Sequence, residues 1–279
     1  QLMEMLRTPP HLPFLDGPAV MAPKLRPIDE SAWLFPDTEA EAWLEDKRGL
    51  MVAQRDKVFA QAGDWATDAA EELAGLVLSA QSSAPLEIAS FTPIERAAST
   101  VSDDLCVMVP CDGQFVLGAA SLCAPTFWSL TENIGKPLSG LHSLLPQGGT
   151  ELSSRINRIF AGLQPGPVLE RFNWTVQLGG ERFTPSSGPM KRALAELNEK
   201  DAASDLFLRV ERQTIRKLPE TGAVLFTIRI CVDHLAPILV DGEMKEQFGQ
   251  AWQSTAADVA AYKGWPHYQH AIDWLLASA

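Results

Sequence analysis

Between Leu206 and Asp233 the pattern of apolar and polar positions reads as two strands joined by a short turn. Leu206, Leu208 and Val210 interleave with Phe207, Arg209 and Glu211, the pattern of a strand with two different faces. Pro219 lacks the N–H that a ladder needs and Gly222 can supply the positive φ of a turn, so the pattern breaks there. Ala223–Val232 then reads as a second strand. The first strand carries Arg209, Glu211, Arg212, Gln213 and Arg216 within eight residues. Such a cluster is either a solvated sheet face with cross-strand ion pairs or the polar side of a ligand site.

Three more strands precede this hairpin. Leu105–Val109 and Phe115–Cys123 flank Pro110, Asp112 and Gly113, a turn composition suited to a hairpin. Val168–Leu178 is the third and carries Arg171, Asn173 and Trp174. The interval Pro125–Leu163 is irregular and helical, ending in a helix around Leu152–Leu163.

Helical spacing dominates both ends. Trp43, Leu44, Leu50, Met51, Val58 and Phe59 predict a helix over Glu39–Ala62, with Asp37 or Thr38 as its N-cap. Lys47 and its charged neighbours read as its solvated faces. A second helix runs from about Asp64 to Ser79. Before them, Pro9, Pro10, Pro13, Pro18, Pro23, Pro27 and Pro36 forbid long regular elements. Leu12, Phe14, Leu15 and Trp33 make this an arm laid across the body. Met190–Asn198 reads as a short inserted helix, and Met244–Ala261 and His267–Ala277 as helices separated by Gly264-Trp265-Pro266.

The expected architecture is α+β: a five-stranded antiparallel sheet with helices covering one face, plus N- and C-terminal flanking helices. Its divisions are an arm and helical scaffold (1–93), a β-rich core (94–235) and C-terminal helices (236–279), together one compact unit. The space between sheet and inserted helices suits a flat ligand.

Composition narrows the function. With 46% apolar and 21% charged residues the chain can bury a sizeable core. A net charge of −12 argues against nonspecific binding to nucleic acid or anionic membranes. The longest apolar run, Phe115–Leu130, is interrupted by Gly118, Ser121, Pro125, Thr126 and Ser129 and falls short of a span of roughly 20 residues. No signal-peptide core follows the start, and because the chain begins at Gln1 its extreme N-terminus is expected to be missing or processed. Cys106, Cys111, Cys123 and Cys231 form no C-x-x-C pair and have no histidine at zinc-finger spacing, which fits a reducing, cytoplasmic setting.

His142 follows the helical pattern Ile134-x-x-x-Leu138-x-x-Leu141. A neutral imidazole there can ligate haem iron or another transition metal; the alternative is a buried or capping histidine. Cys111 or Cys123 could supply a thiolate instead. His267 and His270 are spaced for a shared metal, but no carboxylate pattern supports one. Neither a P-loop nor a Rossmann glycine fingerprint is present, so NADPH is not expected to bind here in a Rossmann fold. Trp174, Phe226 and Ile228 could wall a flat apolar ligand or form ordinary sheet core. If Glu211 faces inward, its carboxylate must be paired, protonated or set against a cation, such as an amine. Only one of Arg209 and Arg212 can share its face.

Taken together, these segments resemble the α-subunit family of haem-dependent oxidative N-demethylases. The resemblance rests on Arg209–Pro219, Gly222–Arg229, Cys123-Ala-Pro-Thr-Phe-Trp128, Ile134-Gly-Lys-Pro-Leu138, Leu141-His142 and Arg171-Phe-Asn-Trp174, with Trp33-Leu34 and Lys47-Arg48-x-Leu50 upstream. It spans roughly residues 25–235. The chain departs from the family after the histidine, where Ser143-Leu144-Leu145-Pro146 replaces a Pro-Val-Pro run, and at Pro125-Thr126, where the family commonly has Pro-Ser.

The resemblance implies a PAS-like fold carrying haem b, and O2-dependent N-demethylation of a small secondary amine such as dimethylamine, releasing formaldehyde. Electrons would come from NADPH through partner reductase subunits with FMN and a 2Fe–2S centre, and a tetrahydrofolate-binding subunit could capture the formaldehyde. In that frame His142 is the iron ligand, while Phe226, Ile228, Arg209 and Arg212 contact the cofactor. Trp174, Glu211, Gln213 and Phe226 line the opposite side, with Glu211 holding or deprotonating the amine. The competing readings are a haem-PAS gas or redox sensor, a haem-free binding subunit, and a haem oxidase with another substrate.

Overall fold

The structure, a computed structural model, describes residues 7–34, 37–141 and 150–278. In chain order, β1 (Arg26–Ile28) precedes α1 (Ala40–Ala53), α2 (Arg55–Val58) and β2 (Phe59–Gln61). Then come α3 (Thr67–Ser79), α4 (Pro93–Ala98), β3 (Asp104–Cys111) and β4 (Gln114–Ser121). The inserted helices are α5 (Leu130–Asn133), α6 (Leu138–Leu141) and α7 (Thr150–Gly162). β5 (Val168–Leu178), α8 (Gly188–Leu194) and α9 (Glu199–Asp205) lead to β6 (Leu206–Lys217) and β7 (Val224–His234). The chain closes with α10 (Ala236–Val240), α11 (Gly242–Ser254), α12 (Ala257–Tyr262) and α13 (Gln269–Ala277).

The fold is α+β with an antiparallel sheet, as expected, but the sheet has seven strands rather than five, in the order β1-β5-β6-β7-β3-β4-β2. The two extra strands are three-residue edges. β1 pairs with Val168–Glu170, and β2 with Ala119–Ser121. The expected helix over Glu39–Ala62 therefore ends early: α1 stops at Ala53, and Phe59–Gln61 is extended. Pairing with β4 overrides a sequence that has no strand signal of its own. The helix expected over Met244–Ala261 is likewise two, α11 and α12, broken at Thr255.

The chain clusters into two compact units. One comprises Pro23–Arg171 and Gln213–Arg229; the other comprises Gln1–Ala22, Phe172–Arg212 and Ile230–Ala279. Strands β5, β6 and β7 each contribute residues to both.

In the first unit, α3 and α4 lie against β3 and β4. The buried residues of α3 (Ala69, Ala70, Leu73, Ala74 and Val77) recur at helical spacing and form one stripe. Lys47, expected on a solvated face, is fully buried; its ammonium donates to the carbonyls of Val101 (3.0 Å) and Asp103. A second apolar layer covers the other sheet face, built on Met108, Phe115, Leu117, Leu138, Phe160 and Val224. Gly118 is a bulge in β4, where the register with β3 shifts, so that Phe115 and Leu117 face the same layer as Ala120 and Leu122.

In the second unit, Trp174, Val176, Leu206, Leu208 and Val210 form one sheet face. It is packed by Phe248 and Trp252 of α11, by Trp265, and by Phe14 from the N-terminal arm. Phe14 is only 1% exposed, so the arm is anchored as its apolar residues predict.

Candidate functional site

Successive residues of a strand point to opposite faces. Along β6, Leu206, Leu208 and Val210 enter the apolar core of the second unit. Arg209 and Glu211 therefore share the other face, and Arg212 does not. Arg209 is fully buried and braces a turn: its Nη1 donates to Gln177 Oε1 at 2.9 Å and its Nη2 to the Arg182 carbonyl at 3.2 Å.

Glu211 is half-buried and accepts from Asn173 Nδ2 at 3.3 Å. Asn173 Oδ1 in turn accepts from Lys263 Nζ at 2.6 Å, and the same ammonium donates to the Trp174 carbonyl at 3.0 Å. Tyr262 stands beside this group. Its phenol is pushed above its ordinary value of 10.0, first by burial and then by the negative charge of Glu211. The Trp174 ring, 3% exposed, lies on the core face with Trp265 (5.0 Å between centroids), Phe248 (6.0 Å) and Phe14 (6.2 Å). Its side chain thus points away from Asn173.

In the first unit, Gln213 is 8% exposed, whereas Phe226 and Ile228 are half-buried. On β3, Cys106 stands opposite Phe226 and Asp104 opposite Ile228. Phe226 and Ile228 border the apolar layer, as do the half-buried Trp128, Ile134 and Ile156. That layer lies under α6 and α7, which Ser153 Oγ links by donating to the Leu138 carbonyl at 3.3 Å. The segment joining those two helices contains His142, which lies outside the described residues.

The donor set can be read against a metal or cofactor. Among the described residues no group of three or more His, Cys, Asp or Glu could hold a metal ion. His234 is engaged with the Phe207 ring at 4.1 Å, and His267 and His270 are exposed. Burial, reinforced by the charge of Asp104, pushes the Cys106 and Cys123 thiols far up, so neither offers a thiolate. Cys111 is exposed. The half-buried Phe226, Ile228 and Trp128 present what a flat macrocycle needs, apolar surface bordering a closed core. These apolar residues fit the faces of a haem.

A family model described as haem-dependent oxidative N-demethylase, alpha subunit-like, matches residues 79–273. The chain belongs to that family. The match takes in every strand from β3 to β7 and continues through α12 into α13, so the region matched to the haem-dependent oxidative N-demethylase family spans Lys263. The resemblance read from residues 25–235 stops short of these helices, and its motifs at Trp33-Leu34 and Lys47–Leu50 lie before the match. The family description names an alpha subunit, and so a member of a multi-subunit assembly. Sequence reasoning assigned no role to Asn173, Tyr262 or Lys263. Asn173 was visible inside Arg171-Phe-Asn-Trp174, but nothing in a sequence brings residue 263 to strand β5.

Proposed function

We propose that this chain is the haem-bearing, substrate-oxidising subunit of an O2-dependent enzyme that demethylates a small secondary amine of the dimethylamine kind. Haem b, when bound, supplies the oxidising chemistry at the N-methyl carbon. One O2, two electrons and two protons convert dimethylamine to methylamine and formaldehyde, and the second oxygen leaves as water. The electrons come from NADPH through separate cytoplasmic reductase subunits carrying FMN and a 2Fe–2S centre. A tetrahydrofolate-binding subunit takes up the formaldehyde. The five long strands, with helices inserted after the second, support a PAS-like reading of the core over 94–235.

The observation that carries this reading is Glu211, a half-buried carboxylate on a strand face, in a chain of a haem-dependent N-demethylase family. A small secondary amine is a cation at neutral pH. Glu211 attracts it, orients its N–H bonds toward the carboxylate and accepts a proton to leave the neutral nitrogen. Phe226 and Ile228 would offer apolar surface to the haem, and Gln213 would contribute an amide to polarise O2. His142 would hold the iron. Arg209 acts at one remove, by bracing Gln177 and the turn at Arg182.

The test is the absorption spectrum of protein expressed with adequate haem, before and after dithionite and CO. A Soret band that shifts on reduction and CO binding, and that changes in His142→Ala, is expected. No Soret band after haem reconstitution would sink the reading. Haem without NADPH-driven turnover of any secondary amine would leave a gas or redox sensor.

A further inference from the structure

We infer that Lys263 and Asn173 form a positioning relay that holds the Glu211 carboxylate in one orientation for a small alkylammonium. The inference rests on reading Glu211 as the amine-binding group.

An ammonium only donates, whereas a primary amide has an accepting end and a donating end. Lys263 Nζ lies 2.6 Å from Asn173 Oδ1, so the amide must turn its oxygen to the lysine. Its NH2 is then committed to the opposite side, where Glu211 Oε2 lies at 3.3 Å. A flipped amide would set oxygen against carboxylate and NH2 against ammonium, two mismatches at once. The lysine thus fixes the sense of a hydrogen bond it does not itself make.

Lys263 is held in turn. It also donates to the Trp174 carbonyl at 3.0 Å, and it is followed by Gly264 at φ 73°, the left-handed residue that turns the chain after α12. Strand β1 pairs only with Val168–Glu170, so β5 carries no β1 partner at Trp174. The contact is not required merely to dock this segment. Trp265, two residues on, anchors it independently through Nε1 to Thr175 Oγ1 at 2.9 Å. Tyr262 lies close enough to feel the charge of Glu211.

Asn173→Asp separates a positioning role from a structural one. It keeps the Lys263 contact, now with a charged acceptor, but turns the group facing Glu211 from donor to acceptor. Dimethylamine would be titrated into the haem-loaded full chain and followed by Soret perturbation, with Glu211→Gln as reference. Asn173→Asp and Lys263→Met should each weaken binding about tenfold or more, in step with Glu211→Gln. Lys263→Arg, which also only donates, should restore it.

A second readout needs no haem. The chain has two tyrosines, and burial pushes Tyr268 far up, so Tyr262 is the phenol that titrates first. Its midpoint, followed by phenolate absorbance, should fall in Glu211→Gln. An unmoved midpoint would place Glu211 away from Tyr262 and overturn the geometry. Wild-type binding by Asn173→Asp, with Glu211→Gln impaired, would overturn the relay and leave the amine reading standing. Wild-type binding by Glu211→Gln would overturn both. Should Asn173→Asp lose its thermal transition, the Lys263→Arg and Lys263→Met pair decides: equal binding by the two overturns the relay.

Discussion

Lys47 shows how a charge can be structural without any outward sign. It sits on α1 among charged neighbours, yet it is fully buried and bonded to the carbonyls of Val101 and Asp103, with Asp104 Oδ1 at 3.9 Å. Its partners are backbone atoms more than 50 residues away, so composition could only suggest a solvated face. Asp104 accepts from the backbone N–H groups of Cys123 and Ala124, both at 2.8 Å, and burial raises its carboxyl above the usual 3.8 despite the Lys47 charge. An acid whose folded-state value is raised binds its proton more tightly folded than unfolded. Stability therefore falls as pH rises from 3.8 through the folded value. Lys47→Met removes the compensating cation and should cost about 3–5 kcal/mol near neutral pH. Because Asp104 is protonated in acid, urea melts should show a smaller deficit near ~pH 4 than near ~pH 7. A deficit independent of pH would show that Lys47 does not act through Asp104. The thiols supply a second check at this scale. Cys106, Cys123 and Cys231 are buried and Cys111 is exposed, so a thiol reagent should label the native chain at Cys111 alone. Rapid labelling of a second cysteine would contradict that burial.

Elements were legible where periodicity and turn chemistry agreed. The hairpins of β3–β4 and β6–β7 and helices α3 and α7 follow directly from patterns of two and of 3.6. What was not legible depends on distant partners. Phe59-Ala-Gln61 becomes a strand only because β4 offers an edge, and the bulge at Gly118 leaves no mark in the alternation Phe115, Leu117. Gly118 does carry a physical signature. A Cβ there would lie 2.7 Å from Val109 Cγ2 and 3.0 Å from Ala66 Cβ, and the Gly118 carbonyl accepts from Ala62 N at 2.8 Å. Gly118→Ala should therefore cost about 1–3 kcal/mol through overpacking, read as a lower urea midpoint with an unchanged m-value. A neutral substitution would mean that β4 can slide past the bulge. The candidate site divides in the same way. The residue types on β6 announced a polar face, but which arginine shared it with Glu211, and what held Glu211 in place, depended on strand parity and on Lys263, the residue that follows α12.

At the scale of the molecule, the sequence suggests a β-rich core over 94–235 flanked by helices, and this makes a specific claim about truncation testable. In the unit that includes Phe172–Arg212, the sheet face of Trp174, Val176, Leu206, Leu208 and Val210 is covered by Phe14, Phe248, Trp252, Trp265 and Ile272. Each of these covering residues is 3% exposed or less, and all lie outside 94–235. Removing them uncovers that face and leaves Trp174 without its aromatic neighbours. Full burial of one large apolar side chain contributes about 1.5–3 kcal/mol, so losing several approaches the whole stability of a domain, about 5–15 kcal/mol. A fragment limited to 94–235 should therefore lack a cooperative thermal transition and bind a hydrophobic dye, whereas the full chain melts in one step. Restoring 236–279 without the arm should recover only part of the stability, because Phe14, 1% exposed and packed edge-on to Phe248 at 5.5 Å, would still be missing. Calorimetry of the fragments alongside the full chain decides the matter. A cooperative melt of the 94–235 fragment at the temperature of the full chain would show that the arm and the C-terminal helices are passengers, and would confine the stability of the fold to the sheet and its inserted helices.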